Sequence, residues 1–294
     1  MAKQKETGYT GRREKTTVGY VVLLAILTII CFSMLYPFVN LLFQSVASPS
    51  DIIASNGFML YPKSFQTDAY EYLMRYPYLS QSYANTIFIT IVGVALAMVM
   101  TILGAYVLSR RDLPGRQYLT TFVVITMFVN GGLIPTYLNL RDMGLLNSLW
   151  SLILPMMIAT WNMLLMRNFF MAIPQDLTEA ARIDGAGEGT LVIKIILPLS
   201  MPIIATVALF YGVGRWNEYT NVIIYNTRPE LQTLQVIIRN MYEAAQMDME
   251  EAVMPPLQAI RAATVIFSTV PILCVYPFLQ KYFAQGLMVG SVKG

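Results

Sequence analysis

The residues in this chain whose types and spacing could do specific chemistry are Glu179-Ala180-Ala181-Arg182-Ile183-Asp184-Gly185, followed by Ile195-Ile196-Leu197-Pro198. The chemistry on offer is recognition. Asp176, three residues before Glu179, predicts a helix start of the capping-box type, weaker with Asp than with Ser or Thr. Gly185 and Gly187 predict its stop. A helix of about two turns is unstable alone in water and needs a surface to dock against. Ala180 and Ala181 keep part of it thin, which suits a protein groove better than a lipid surface. The competing reading is a plain polar turn between two membrane spans.

Other chemistries lack their residues. The chain contains no histidine, the commonest general base and metal ligand. No Gly-x4-Gly-Lys-Ser/Thr phosphate loop occurs, and the glycines at 185, 187 and 189 have neither its spacing nor its lysine. Cys31 and Cys274 fall inside apolar runs and read as small buried hydrophobes. The middles of the apolar runs carry no carboxylate, although ion-coupled carriers keep such groups there for coupling. An enzyme is therefore not expected, and an ion-coupled secondary carrier is the weaker transport alternative.

The elements that must position the motif are membrane helices. Hydrophobic residues make up 56% of the 294 residues and charged residues 13%, about half the charged share of a soluble domain. The net charge of +3 is too small to argue for nucleic acid. Apolar runs cover residues 18–43, 84–109, 118–140, 148–171, 195–216 and 262–283, which predicts six spans. The first could instead be a secretory signal, but its length, about 39 Å as a helix, favours an uncleaved span. Residues 45–83 are too polar to span. Placing the N-terminus inside puts thirteen of the twenty Lys and Arg residues on the same side as the Glu179 loop, so both termini and that loop are expected in the cytoplasm. Pro135, Pro155, Pro198, Pro202, Pro271, Pro277 and the Gly131-Gly132 pair lie in or beside spans. They predict helices bent around a path, unless they reflect only the commonness of Pro and Gly in membrane helices.

The motif Glu-Ala-Ala, three residues, Gly, nine residues, Ile, any residue, Leu-Pro resembles, without a gap, the signature loop of ABC-importer permeases. Trp216-Asn217-Glu218-Tyr219, Thr233-Leu234-Gln235 and the tail from Gln280 to Gly294 extend the likeness to the second permease of maltose-type sugar importers. Asn130-Gly131-Gly132-Leu133-Ile134-Pro135-Thr136-Tyr137 is similar to the branch for larger oligosaccharides such as alginate or pectin fragments.

That resemblance implies an all-α membrane protein of the type I importer fold. It implies a cytoplasmic tail (1–17), a six-span permease domain (18–284) with a coupling loop (174–198) between spans four and five, and a cytoplasmic C-terminal tail (285–294). The implied partners are a homologous second permease, a homodimeric ATPase that binds ATP and magnesium, an extracytoplasmic sugar-binding protein and an oligosaccharide. The chain itself would hold no cofactor or metal, and its place would be a bacterial inner membrane. Glu179, Ala180, Ala181, Asp184 and Gly185 would contact the ATPase, the glutamate facing a basic residue there, and Lys293 would approach it from the tail. Glu218, Tyr219, Asn226 and Gln235 would lie in the loop reaching toward the binding protein. Asn130, Tyr137, Trp161, Asn162 and Tyr211 would line the path, since sugars are held by aromatic faces, amides and hydroxyls; for each, helix packing is the more ordinary reading. An importer of peptides or amino acids is the alternative within the same architecture.

Overall fold

The computed structural model describes residues 18–247 and 257–291, with backbone alone for 245–247, 276 and 278–291. Among the described residues the chain is helical, and its only extended pairing is an isolated bridge between Ala47 and Phe65. Three helices are long and apolar enough to cross a membrane unbroken: α1 (Val18–Gln44), α2 (Leu79–Ser109) and the apolar part, Leu257–Val275, of a last helix. The other apolar runs are bent pairs. The third run is α3 (Arg116–Phe128) and α4 (Leu133–Asp142), meeting at 105°. The fourth is α5 (Trp150–Met156) and α6 (Thr160–Met171), bent by 48°. A separate short helix, α7 (Gln175–Ile183), precedes α8 (Glu188–Leu199) and α9 (Met201–Trp216), which meet at 84°. Then come α10 (Thr220–Tyr225), α11 (Leu234–Met247) and α12 (Leu257–Ser291).

The bends occur where the sequence puts Pro and Gly. Gly132 holds φ +85° at the α3–α4 break, and the Asn130 side-chain carbonyl accepts the Gly132 N–H at 2.9 Å. Pro155 lies in the turn that ends α5, and Pro198 and Pro202 flank Ser200 at the α8–α9 bend. Within α8, Val192–Ile196 is wound as a π-helix, a wider turn with i to i+5 bonds.

α2 is the central post. Ser82, Thr86, Gly93, Ala97, Thr101 and Ala105 form a buried stripe of small residues along it, which lets neighbouring backbones approach closely. Met163, Met166 and Phe170 of α6 and Val207 and Tyr211 of α9 pack onto its inner half. Toward its other end Ile89 joins Leu140, Leu152, Ile153, Val222, Tyr225 and Val236.

Arg215, in the last turn of α9, is 2% exposed. Its guanidinium donates to the carbonyls of Leu152, Ile153 (3.0 Å) and Met156 (2.9 Å), the groups freed where α5 ends. Gly93 makes room for it, since a Cβ there would lie 3.2 Å from Arg215 Nε. One turn earlier on α9, the Tyr211 hydroxyl accepts the Ala159 N–H at 2.9 Å and bonds Thr101 Oγ1 at 2.8 Å. The fourth run is thereby tied on both sides of its bend.

Three expectations need correction. α2 begins at Leu79, not Ala84, after Tyr78 in a left-handed conformation (φ +62°). The polar stretch before it contains two short helices, Pro49–Ala54 and Asp68–Arg75, the first capped by the Ser48 hydroxyl. Cys31 and Cys274 are exposed on apolar helices rather than buried, because among the described residues nothing covers those helix faces. Residues 285–291 belong to α12.

Replacing Arg215 by Met should strand three carbonyls and cost about 3 kcal/mol or more, at about 1–3 kcal/mol per unmet buried group. The thermal midpoint of the purified chain in detergent measures this. A midpoint equal to wild type would show that water or rearrangement satisfies those carbonyls.

Candidate functional site

The signature motif forms α7 and the turn after it. The helix starts two residues earlier than the spacing predicts, at Gln175, with Pro174 at the cap and no side-chain cap bond. Asp176 is therefore inside the first turn, where its charge suits the positive end of the helix rather than bonding a free N–H. The stop is a backbone device. Gly185 adopts φ +82°, its N–H donates to the Arg182 carbonyl at 3.0 Å, and the Ala186 N–H donates to the Ala181 carbonyl at 2.9 Å. These are the two bonds of a Schellman motif, which places glycine at the left-handed position. Gly187 does not help end α7; it stands at the N-cap of α8 with φ −71°.

α7 buries none of its residues. Glu179, Ala180, Asp184 and Gly185 are exposed and Ala181 is half-buried. Leu177 is 46% exposed and Ile183 87%, so a short amphipathic helix presents apolar and acidic groups that the described residues leave largely uncovered.

An ionic network joins this region to the end of α2. Arg110, immediately after α2, grips Asp112 with two parallel bonds, Nε to Oδ1 at 2.8 Å and Nη2 to Oδ2 at 2.5 Å. Its remaining nitrogen, Nη1, donates to Glu188 Oε2 at 2.5 Å and to the Tyr106 hydroxyl at 3.0 Å. Tyr106 in turn donates to Glu188, whose other oxygen, Oε1, accepts from Arg182 Nη2 at 3.0 Å. The bond from Arg110 pulls the Asp112 carboxyl down to about 2, and that from Asp112, reinforced by Glu188, pushes the Arg110 guanidinium up. A cleft of about 180 Å³ lies between the two regions, lined by Tyr106, Arg110, Asp112, Thr178, Glu179 and Arg182 among others. Sequence reading missed Arg110, Glu188 and their roles. The only local signal was the run of opposite charges at Arg110-Arg111-Asp112 and Arg182 to Glu188.

The expected path residues are spread over the bends. Asn130 is exposed at the α3–α4 break and Trp161 is 63% exposed at the start of α6. The Thr126 and Thr160 hydroxyls, 3.3 Å apart, bring those two regions together. Asn162 is 7% exposed within α6. Tyr211 is buried with its hydroxyl engaged by Thr101 and Ala159. Tyr137 lies in another cluster, its ring 6.5 Å from that of Tyr225.

The loop after α9 is closely tied down. Glu218 Oε1 accepts from the Asn221 backbone (3.2 Å) and side-chain (3.0 Å) nitrogens. The Arg239 guanidinium lies 5.4 Å above the Tyr219 ring. Asn85 of α2 donates to the Glu230 and Gln232 carbonyls at 2.8 and 3.0 Å, and the Thr86 hydroxyl accepts the Leu234 N–H at 2.8 Å. Gln235 is half-buried. Asn226 does not face outward as expected: it is fully buried, with Ser151 donating to its Oδ1 at 3.4 Å. Lys293 and residues 1–17 lie outside the described residues.

Residues 110–289 match the family described as binding-protein-dependent transport system inner membrane component. Among curated relatives, the chain is 40% identical to the polygalacturonan/rhamnogalacturonan transport system permease protein YtcP of Bacillus subtilis (strain 168), across 94% of this chain and 96% of that one. It is 41% identical to Protein LplC of the same organism, across 88% of this chain and 89% of that one. Among solved structures, it resembles a chain of a bacterial ABC transporter involved in the import of the acidic polysaccharide alginate. There the TM-score is 0.81 at 30% identity, covering 91% of this chain and 97% of that one. The fold, the signature loop and these likenesses agree, and the chain belongs to the binding-protein-dependent inner-membrane permeases, multi-pass transport subunits that are not themselves catalysts.

Proposed function

We propose that this chain is one of two permease subunits of an ATP-driven importer that carries oligosaccharides, acidic ones such as oligogalacturonates included, across a bacterial inner membrane. Each bent pair then counts as one span, giving six, with both termini and α7 in the cytoplasm. The observation that carries this reading is α7: a helix with a defined end, no buried residue and an exposed face of Leu177, Glu179, Ala180 and Ile183. Such a surface is suited to docking into a cleft of an ATPase subunit, whose bound ATP and magnesium supply the energy. Closure of the ATPases would move α7 and turn the cavity from inward-facing to outward-facing, a two-state switch biased by ATP and the loaded binding protein.

The sugar assignment draws support from the relatives named for polygalacturonan, rhamnogalacturonan and alginate. In the path, Trp161 is the exposed aromatic face best suited to stack on a sugar ring, with Asn130 and Asn162 as amide partners. Outside, Glu218, Tyr219 and Gln235 belong to the segment assigned to the binding protein, while Asn226 braces it from within.

Co-purification from native membranes, with the associated proteins identified and ATPase activity assayed, tests the assembly. A second permease and a P-loop ATPase should accompany the chain; recovery of this chain alone would favour a self-contained carrier. Glu179→Lys and Gly185→Pro should abolish uptake while the protein stays in the membrane, because the first reverses the docking charge and the second cannot adopt φ +82°. Normal uptake in both variants would sink the docking assignment. Trp161→Ala should raise the trigalacturonate concentration for half-maximal import about fivefold, the equivalent of about 1 kcal/mol of stacking. An unchanged value would remove Trp161 from the path.

A further inference from the structure

α7 is joined by the chain to α6 before it, across residues 172–174, and to α8 and α9 after it, but not directly to α2, which ends at Ser109. Yet α2 is the post on which α6 and α9 pack. A stroke delivered to α7 reaches α9 along the chain, and that route runs through the π-helical stretch Val192–Ile196, where helix bonding is less regular. It also passes the Gly185 turn, which holds α7 only by backbone bonds. With no residue of α7 buried, packing does not fix its angle to α2.

We infer that Glu188 is a positioning residue, a latch that fixes the docking helix to the end of α2 and so lets the two move as one body. Its carboxylate is the one group that gathers donors from both sides: Arg182 of α7 on Oε1, and Arg110 and Tyr106 on Oε2. Asp112 holds the Arg110 guanidinium in a two-pronged grip and leaves Nη1 aimed at Glu188. The pairs are partly open to water, with 57% of the Glu188 side chain exposed. Exposed pairs add little to stability. Their effect here is on geometry. This inference rests on the docking role given to α7 above.

Glu188→Gln keeps the size of the side chain but removes the charge and replaces one acceptor with a donor, which then confronts arginine. Glu188→Asp keeps the charge on a shorter stem. Two measurements test the latch. In the purified chain alone, spin labels at Leu177 on α7 and Tyr118 on α3 should give a single narrow distance distribution in the wild type. That distribution should broaden in E188Q and stay closer to wild type in E188D. In proteoliposomes holding the full assembly and its binding protein, with trigalacturonate as probe, the ATP hydrolysed per molecule imported should rise at least fivefold in E188Q. In E188D it should rise by less than half as much. A wild-type distribution or ratio in E188Q, or equal defects in E188Q and E188D, would overturn the latch. If the wild-type chain brings no ATPase with it, the importer reading fails, and the spin-label distances alone decide whether Glu188 sets the position of α7.

Discussion

A backbone that bends inside a bilayer must find its hydrogen-bond partners within the protein, and in this chain one face of α9 supplies them. Arg215 gives donors to three carbonyls at the end of α5, and Tyr211, one turn away on the same face, accepts the N–H of Ala159 on the far side of the bend. An arginine within a membrane protein is costly and persists where it meets such a need. Its presence constrains α2 in turn. Gly93 leaves the space that the guanidinium fills, and the small residues around it bring α2, α6 and α9 together. The bent fourth run, the central post and the last turn of α9 are therefore one mechanical unit.

The opposite end of α2 is built differently. There the contacts are polar, partly hydrated and few, and they run through single side chains of Arg110, Glu188 and Arg182. The contrast follows from the surroundings. Within the bundle an unmet polar group is expensive, so bonds are buried and shared; beyond it, water offers an alternative partner and each bond is individually weak. A rigid core with a lightly held outer helix is an arrangement in which the outer element can seat against a partner without disturbing the packing behind it.

Much of this was legible in the chain. The apolar runs coincide with the three unbroken apolar helices and the three bent pairs among the described residues, and the signature spacing located α7 and its glycine stop, because both depend on local composition and backbone freedom. What escaped was long-range. Hydropathy along residues 118–140 or 148–171 cannot distinguish a straight helix from one bent by 105° or 48°, since bending leaves composition unchanged. Arg215 carries no local signal of its role because its partners lie about sixty residues earlier in the chain. Glu188 had no signal until folding brought Arg110 beside it. The resemblance put Asn226 in a loop reaching outward, whereas its side chain is buried. Asp176 shows the limit of local rules: a plausible cap was displaced two positions inward because Pro174 already sets the entry of the helix.

The end of α7 is specified by main-chain atoms and one glycine. Folding there draws on almost no side chain, and among the described residues Arg182 alone of the helix reaches back to a charged partner. The outward surface is thus free to vary without endangering the helix that bears it. Substitutions on that surface register as gained or lost affinity, and a segment from Gln175 to Ala186, carried into a related chain that retains a carboxylate for Arg182, would bring its recognition surface along with its own instructions for folding.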